Sequence, residues 1–414
     1  MAVVPYLPPE LWLRIHDHTT TVSGTLDPDI HFHTELNGLY DDPGKYADSD
    51  INASLRQAQT TRRWLPLVCK HWYEMFIHRL YQSVIFEGDD ALSSLTCALS
   101  TPPRIPGAPP LGHYTERMDI LSDFTNNSLL VSKGTEYMLE RGLATLFGSC
   151  PRLSILVITF RAPEARISPS MMGALCQNVP NLKVLQLRNI SLRSTDTEAL
   201  LRSIPDLRIL ACYHIAFPQN HIDSANIPYL PLHTVAFSKL SRPEFIQSGS
   251  LPQLRSLVLH GNAFFTDTRN ETFLRAVGAT LRTIHWDVED REKIQLWVSQ
   301  IGRHCPNLER LVLSVPEYAF FDPEAFPLPL ELELPPVTCL GLRTAAPGPA
   351  RSRFTQDARY EHIWSFLTKI HGLAPSVSTV QFLNIGARHK EELEDVPSGL
   401  SHIKFEHYYR LAQS

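Results

Sequence analysis

The chain has no stretch of eighteen uninterrupted apolar residues, no basic leader ahead of an apolar run, and no Cys-x-x-Cys pair. The first absence argues against a transmembrane helix. The second argues against a secretory signal, since Pro and Glu interrupt the opening MAVVPYLPPELWLRIH. Seven cysteines, an odd number scattered from Cys69 to Cys339, predict reduced, buried thiols in a reducing compartment, cytoplasmic or nuclear, rather than a disulfide framework or a zinc site. Positive charge is also in deficit: a net charge of −5 offers no electrostatic reason to expect nucleic acid or an anionic membrane as partner.

Catalytic signatures are missing as well. There is no Gly-x-Ser-x-Gly elbow, no phosphate-cradling glycine loop ending in Gly-Lys-Ser/Thr, and no His-Glu-x-x-His. His31 and His33 alternate as strand ligands do, but they sit among turn residues without a second convergent motif. Cys305 has His304 beside it, yet residues adjacent in sequence need not face one another. These absences predict a chain without catalytic site, cofactor or bound metal.

What is present is a folded composition, 43% hydrophobic and 20% charged. At 414 residues the chain suits two domains, or one small domain and a repeat array. The stretch from Trp64 to Phe86, WLPLVCKHWYEMFIHRLYQSVIF, joins two regimes. Leu65, Val68, Cys69, Trp72, Tyr73 and Phe76 follow helical spacing and predict one helix face. Tyr81, Val84 and Phe86 then fall at n, n+3 and n+5. Upstream, Leu7, Leu11 and Ile15 mark a short amphipathic helix, with Pro8, Pro9 and Glu10 suited to its first turn. Residues 19–52 are polar and rich in turn signals and read as an inserted loop. A second helix restarts near Ala53 and runs towards Trp64, with Pro66 as a kink or a fresh start.

LPPELWLRIH, an insert, and then LPLVCKHWYEMFIHRLYQSVIF resemble an F-box domain of the divergent type common in filamentous, mushroom-forming fungi. The resemblance covers residues 1–86 and implies a helical module that docks on the Skp adaptor of a cullin-based ubiquitin ligase. By motif position it implies that Leu7, Pro8, Glu10, Leu11, Ile15, Leu67, Val68, Cys69 and Trp72 contact the adaptor or build the fold that presents the contact. On spacing alone, the same apolar residues read as the core of a small helical bundle, since most amphipathic faces are internal.

Beyond the head, the n, n+3, n+5 pattern recurs, often after Pro-x, as CPRLSILVI, VPNLKVLQL, IPDLRILAC, LPLHTVAF, LPQLRSLVL, LRTIHW, CPNLERLVL and VTCLGL. The first members are Leu153, Leu182, Leu207, Leu232, Leu254, Leu281, Leu308 and Val337, at spacings of 29, 25, 25, 22, 27, 27 and 29 residues. Tyr81 and Thr115 begin earlier members; Val377 and Leu400 begin later ones. Helical stretches intervene, among them Ser168 to Val179, Ile294 to Gly302 and Tyr360 to Gly372. Strand, helix, strand at this period predicts a parallel sheet backed by helices.

This ladder resembles the irregular leucine-rich repeats attached to F-boxes. The expected fold is therefore α/β: a short F-box-like helical module over residues 1–86, then over 87–414 a leucine-rich-repeat solenoid with a parallel inner sheet and outer helices. Proline-rich insertions interrupt it near 100–112 and 316–349. Strand alternation predicts that n+2, n+4 and n+6 look onto an open concave face. The candidates for target contact there are Arg188, Tyr213, His260, His285, Asp287, Arg310 and Arg343. Arg188, Arg310 and Arg343 would make a phosphate-binding cluster if their strands line up. The expected function is a substrate receptor of an SCF-type ligase that holds a protein target beside the ubiquitin carrier. The alternative is an interaction scaffold outside any ligase, whose F-box-like segment only caps the repeats.

Overall fold

In the computed structural model of the chain, the described residues are 8–20, 26, 50–87, 89–103, 105, 107–122, 142–160, 165–216, 231–241, 251–259, 268–287, 294–316, 337–345, 367–368, 375–383 and 398–408. They form an α/β protein with two compact units. One is Met1–Ile190 with Ser203–Leu207; the other is Ser191–Arg202 with Arg208–Ser414.

The first unit opens with helices. Helix α1 (Pro9–Thr20) starts on Pro9 with Glu10 in its first turn, where a missing N–H costs nothing and a carboxylate faces the positive helix end. Helix α2 (Asp50–Trp64) carries Leu55 and Ala58 inward. Arg62, buried near its end, donates from Nη2 to the Thr20 carbonyl at 2.7 Å and so ties α2 to the C-terminus of α1.

The single helix face predicted from Leu65 to Phe76 is split in two. Pro66 cannot donate to the ladder of α2, and the chain makes a 3₁₀ turn over Leu65–Leu67 instead. Cys69 is fully extended, and helix α3 (Lys70–Leu80) begins after it. Leu67, Val68 and Cys69 thus lie on a connection between helices, while Phe76 and Ile77 of α3 are buried. Pro66 is a fresh start and not a kink.

Strands β1 (Ser83–Glu87), β2 (Arg117–Ser122), β3 (Ile155–Phe160) and β5 (Val184–Leu192) follow as parallel neighbours, and the short β4 (Ala165–Arg166) bonds to β5. Helix α4 (Asp89–Ser100) lies between β1 and β2, and α5 (Pro169–Asn178) between β4 and β5. Ser168 caps α5 as predicted, its hydroxyl accepting from the Met171 N–H at 3.2 Å.

The second unit carries α6 (Ser194–Ser203), α7 (Thr268–Val277) and α8 (Ile294–His304). Its strands are β6 (Ile209–Ala216), β7 (Thr234–Ser241), β8 (Ser256–Leu259), β9 (Thr283–Asp287), β10 (Arg310–Pro316), β11 (Cys339–Ala345), β12 (Thr379–Leu383) and β13 (Lys404–Tyr408). They lie side by side in chain order and all run parallel.

The periodic leucines explain this order. In the first unit the n+3 residues Val84, Met118, Leu156 and Leu185 stand level across the strands. In the second, Leu210, Val235, Leu257, Ile284, Leu311, Leu340 and Val380 do the same. All are buried, as are the n+5 residues from Phe86 to Phe382, each contributing about 1.5–3 kcal/mol of burial. The Pro-x that precedes many of them forms a tight turn. The N–H of residue n donates to the carbonyl of n−3, as in Leu153 to Cys150, Leu182 to Val179 and Leu308 to Cys305, at 3.1, 3.2 and 3.2 Å. Asparagine at n−1 bridges successive turns: Asn181 donates to the Pro151 carbonyl at 3.1 Å and Asn307 to that of Ala279 at 2.8 Å.

Two expectations are corrected. In the last repeat, Phe405 and not Ile403 stands level with Val380. The strand is shifted by two residues, which keeps the same face inward because strand alternation has period two. The second correction concerns the n+4 column. Val157, Gln186, Ala211, Ala236, Val258, His285, Val312 and Gly341 are all buried, so these positions are not open to water, whereas Ile85 and Gln381 in the same column are half-buried. Parallel sheets are characteristically covered on both faces, and small or apolar residues in that column fit such burial. The helix expected over Tyr360 to Gly372 lies outside the described residues except for 367–368, which are helical, with Leu367 buried.

Candidate docking surface

Five large apolar side chains are exposed in the described structure, and all five belong to the helical head. They are Leu11 (42%), Ile15 (45%), Trp64 (67%), Leu67 (72%) and Val68 (61%). Leu11 and Ile15 are four residues apart on α1, hence on one helix face. Trp64 closes α2, and Leu67 and Val68 follow on the 3₁₀ turn. That turn is anchored by buried Pro66 beneath it and by the Val68 N–H, which donates to the Leu65 carbonyl at 3.3 Å. Pro8, Glu10 and Cys69 are exposed too.

Trp72 differs from the rest. It is half-buried, with ring centroids 4.9 Å from Trp12 and 5.5 Å from Phe76, both edge-on. It therefore joins α1 to α3 through aromatic packing. Leu7 lies outside the described residues. Trp64 is the residue that motif reading missed: in sequence it is the last residue of an amphipathic helix, and nothing local says which way it faces.

Of the residues predicted to contact a target, His285, Arg188 and Arg310 have described side chains. His285 is buried, with Nε2 2.8 Å from Ser314 Oγ. Arg188 is half-buried in the first unit and donates from Nη2 to Gln186 Oε1 at 3.1 Å. Arg310 is half-buried in the second. Arg343 stands level with Ser314, while Arg310 stands level with Cys339. That four-residue offset puts their backbones about 13 Å apart along the strands, so the arginine cluster does not line up. Tyr213, Asp287 and Arg343 sit on β6, β9 and β11, and His260 lies outside the described residues.

The buried cysteines are not activated nucleophiles. Burial pushes the Cys150 thiol up to about 11, against a smaller opposing hydrogen bond with Thr115, and the Cys305 thiol up to about 12. Cys212, also buried, is raised further. Such thiols stay protonated at neutral pH. His304 is turned to Glu271, with Nε2 3.2 Å from Oε1. His31 and His33 lie outside the described residues. Among the described residues, no helix is long and apolar enough to cross a membrane, and no cluster of three or more His, Cys, Asp or Glu is arranged to hold a metal.

No protein-family model matches the chain, and no curated protein matches it either.

Proposed function

We propose that this chain is a non-enzymatic substrate receptor of an SCF-type, cullin-based ubiquitin ligase. Its F-box-like head docks on the Skp adaptor, and its leucine-rich-repeat solenoid binds a protein target. The observation that carries this reading is the exposure of Leu11, Ile15, Leu67 and Val68, four residues that the F-box motif nominates for adaptor contact. A folded head has no internal use for apolar side chains directed at water, and a protein partner does. The in-register ladder of buried leucines supports the repeat assignment. Function then follows from proximity: holding a target lysine beside the ubiquitin carrier raises its effective concentration, with no acid, base or metal from this chain. Such a receptor works in the cytoplasm or nucleus.

One observation favours the scaffold alternative. Helices α2 and α3 pack against β1, the end strand, and Arg56 reaches Glu87 of that strand at 3.4 Å. Such packing supports a capping role for the head. Capping uses the inward faces, however, and leaves the exposed apolar residues unexplained.

Co-purification of the full chain with the Skp adaptor separates the two. The docking reading expects capture by the parent and loss in Leu67→Asp/Val68→Asp, whose side chains are exposed in the parent, with unchanged circular dichroism. A monodisperse, folded parent that captures no adaptor leaves the scaffold as the function.

A further inference from the structure

We propose that the docking surface is anchored by Trp64 and flanked by charge. In this arrangement the indole, with Leu67 and Val68, fills an apolar pocket of the partner, and Arg63 and Lys70 meet carboxylates on the pocket's rim. The proposal rests on the adaptor reading above. It adds a residue that the motif does not nominate and a chemistry for the partner's surface.

Three of the five residues from Trp64 to Val68 are about two-thirds exposed. Isolated exposed leucines are ordinary, but a tryptophan followed by two aliphatics on one turn is a concentrated apolar projection. The segment is also held in place. Arg62 binds the end of α1, Pro66 is buried, and α3 restarts with the Tyr73 N–H donating to the Cys69 carbonyl at 2.9 Å. A turn fixed at both ends gives up little conformational freedom on binding. Tryptophan, with only two side-chain torsions and a large ring, is the residue type most enriched among interface anchors.

Charge supplies the second half. The chain as a whole carries −5, yet the ten residues from Arg62 to His71 contain Arg62, Arg63 and Lys70 and no acid. Arg62 is directed inward to Thr20. Arg63 is exposed, and the Lys70 side chain is 90% exposed, meeting Glu74 of its own helix at 3.9 Å across solvent. The apolar projection is therefore bracketed by cations on an otherwise acidic chain. The complementary partner is an apolar groove with an acidic rim, which fixes orientation and speeds encounter.

The test is titration of the full chain against purified Skp adaptor at about 50 and about 300 mM salt, conditions that span the onset of strong screening. Trp64→Ala is expected to weaken binding about thirtyfold or more. Arg63→Glu/Lys70→Glu is expected to weaken it about tenfold at low salt and to flatten the salt dependence. Both variants alter exposed side chains, and circular dichroism checks that they fold. If Trp64→Ala binds within about threefold of the parent while Leu67→Asp/Val68→Asp loses capture, the anchor is overturned and the docking reading stands. Parent affinity that does not change with salt overturns the acidic rim. A folded parent that fails to bind at all overturns both the proposal and the reading beneath it.

Discussion

Arg117 Nε donates to Asp119 Oδ2 at 2.6 Å and Nη2 to Oδ1 at 2.9 Å, a two-pronged ion pair between the n+2 and n+4 residues of β2, with both side chains almost wholly buried. Two alternate residues of one strand face the same side, so this pair lies on the side of the sheet that sequence alternation assigned to solvent.

Its burial makes the pair costly to break and dispensable to replace. Asp119→Ala removes the carboxylate that both prongs of the buried guanidinium meet and is expected to destabilise the fold by about 3–5 kcal/mol in urea unfolding. Arg117→Met/Asp119→Leu removes both charges together and is expected to recover most of that loss. A single alanine variant as stable as the parent would mean that water reaches this face of β2.

Gly278 and Gly112 occupy the same place, n−3, in their repeats, and each lies under the carbonyl of the n−4 residue of the next repeat. A Cβ on Gly278 would overlap the His304 carbonyl, and one on Gly112 that of Ser149. Both obstacles are backbone and cannot rotate away. Gly278→Ala is therefore expected to cost about 1–3 kcal/mol. Gly173, inside α5 with open space around its Cβ position, provides the contrast: Gly173→Ala should stabilise by about 0.5–1 kcal/mol. Thermal melts of the two variants should move in opposite directions.

Thiol labelling should divide the cysteines by burial. Cys69 and Cys97 are exposed, while Cys150, Cys212 and Cys305 are buried with raised thiol pKa values. At mildly alkaline pH a maleimide is expected to modify Cys69 and Cys97 first and the buried three only on unfolding. On the proposed docking, the adaptor should protect Cys69 and leave Cys97 reactive, as peptide mapping by mass spectrometry would show.

Glu271 joins α7 to α8. Its carboxyl is held below the ordinary 4.5 chiefly by the hydrogen bond with His304, then by that from Arg275. A depressed carboxylate contributes stability above its unfolded pKa and loses it as pH falls through the folded value. The contribution is thus complete at neutral pH and is lost progressively as pH falls below about 4.5. Glu271→Gln should lower stability at pH 7 slightly and make the acid limb of the stability curve shallower. An acid limb identical to the parent's would show that this carboxylate does not contribute.

The repeats were legible because their signal is local. Leu153, Leu156 and Ile158 are placed inward by strand alternation and a preceding tight turn, and both properties travel with a few consecutive residues. The same holds for α5, which Ser168 and Pro169 announce. The head was legible only in part. Leu11 and Ile15 share a helix face by spacing, but whether that face meets water or protein depends on what folds against it. Trp72 and Trp64 belong to the same apolar stretch. One packs on Trp12 and the other projects from the end of α2.

Which residues alternate inward along the strands, where most strands start, and how proline and serine begin the helices can be read from neighbouring positions, because each depends on backbone geometry over a few residues. Only the folded chain shows that the n+4 residues from Val157 to Gly341 are buried, that β13 pairs two residues along, and that Trp64, Leu67 and Val68 remain exposed. Each of these depends on which distant segment occupies the adjoining space, and side-chain spacing carries no record of that.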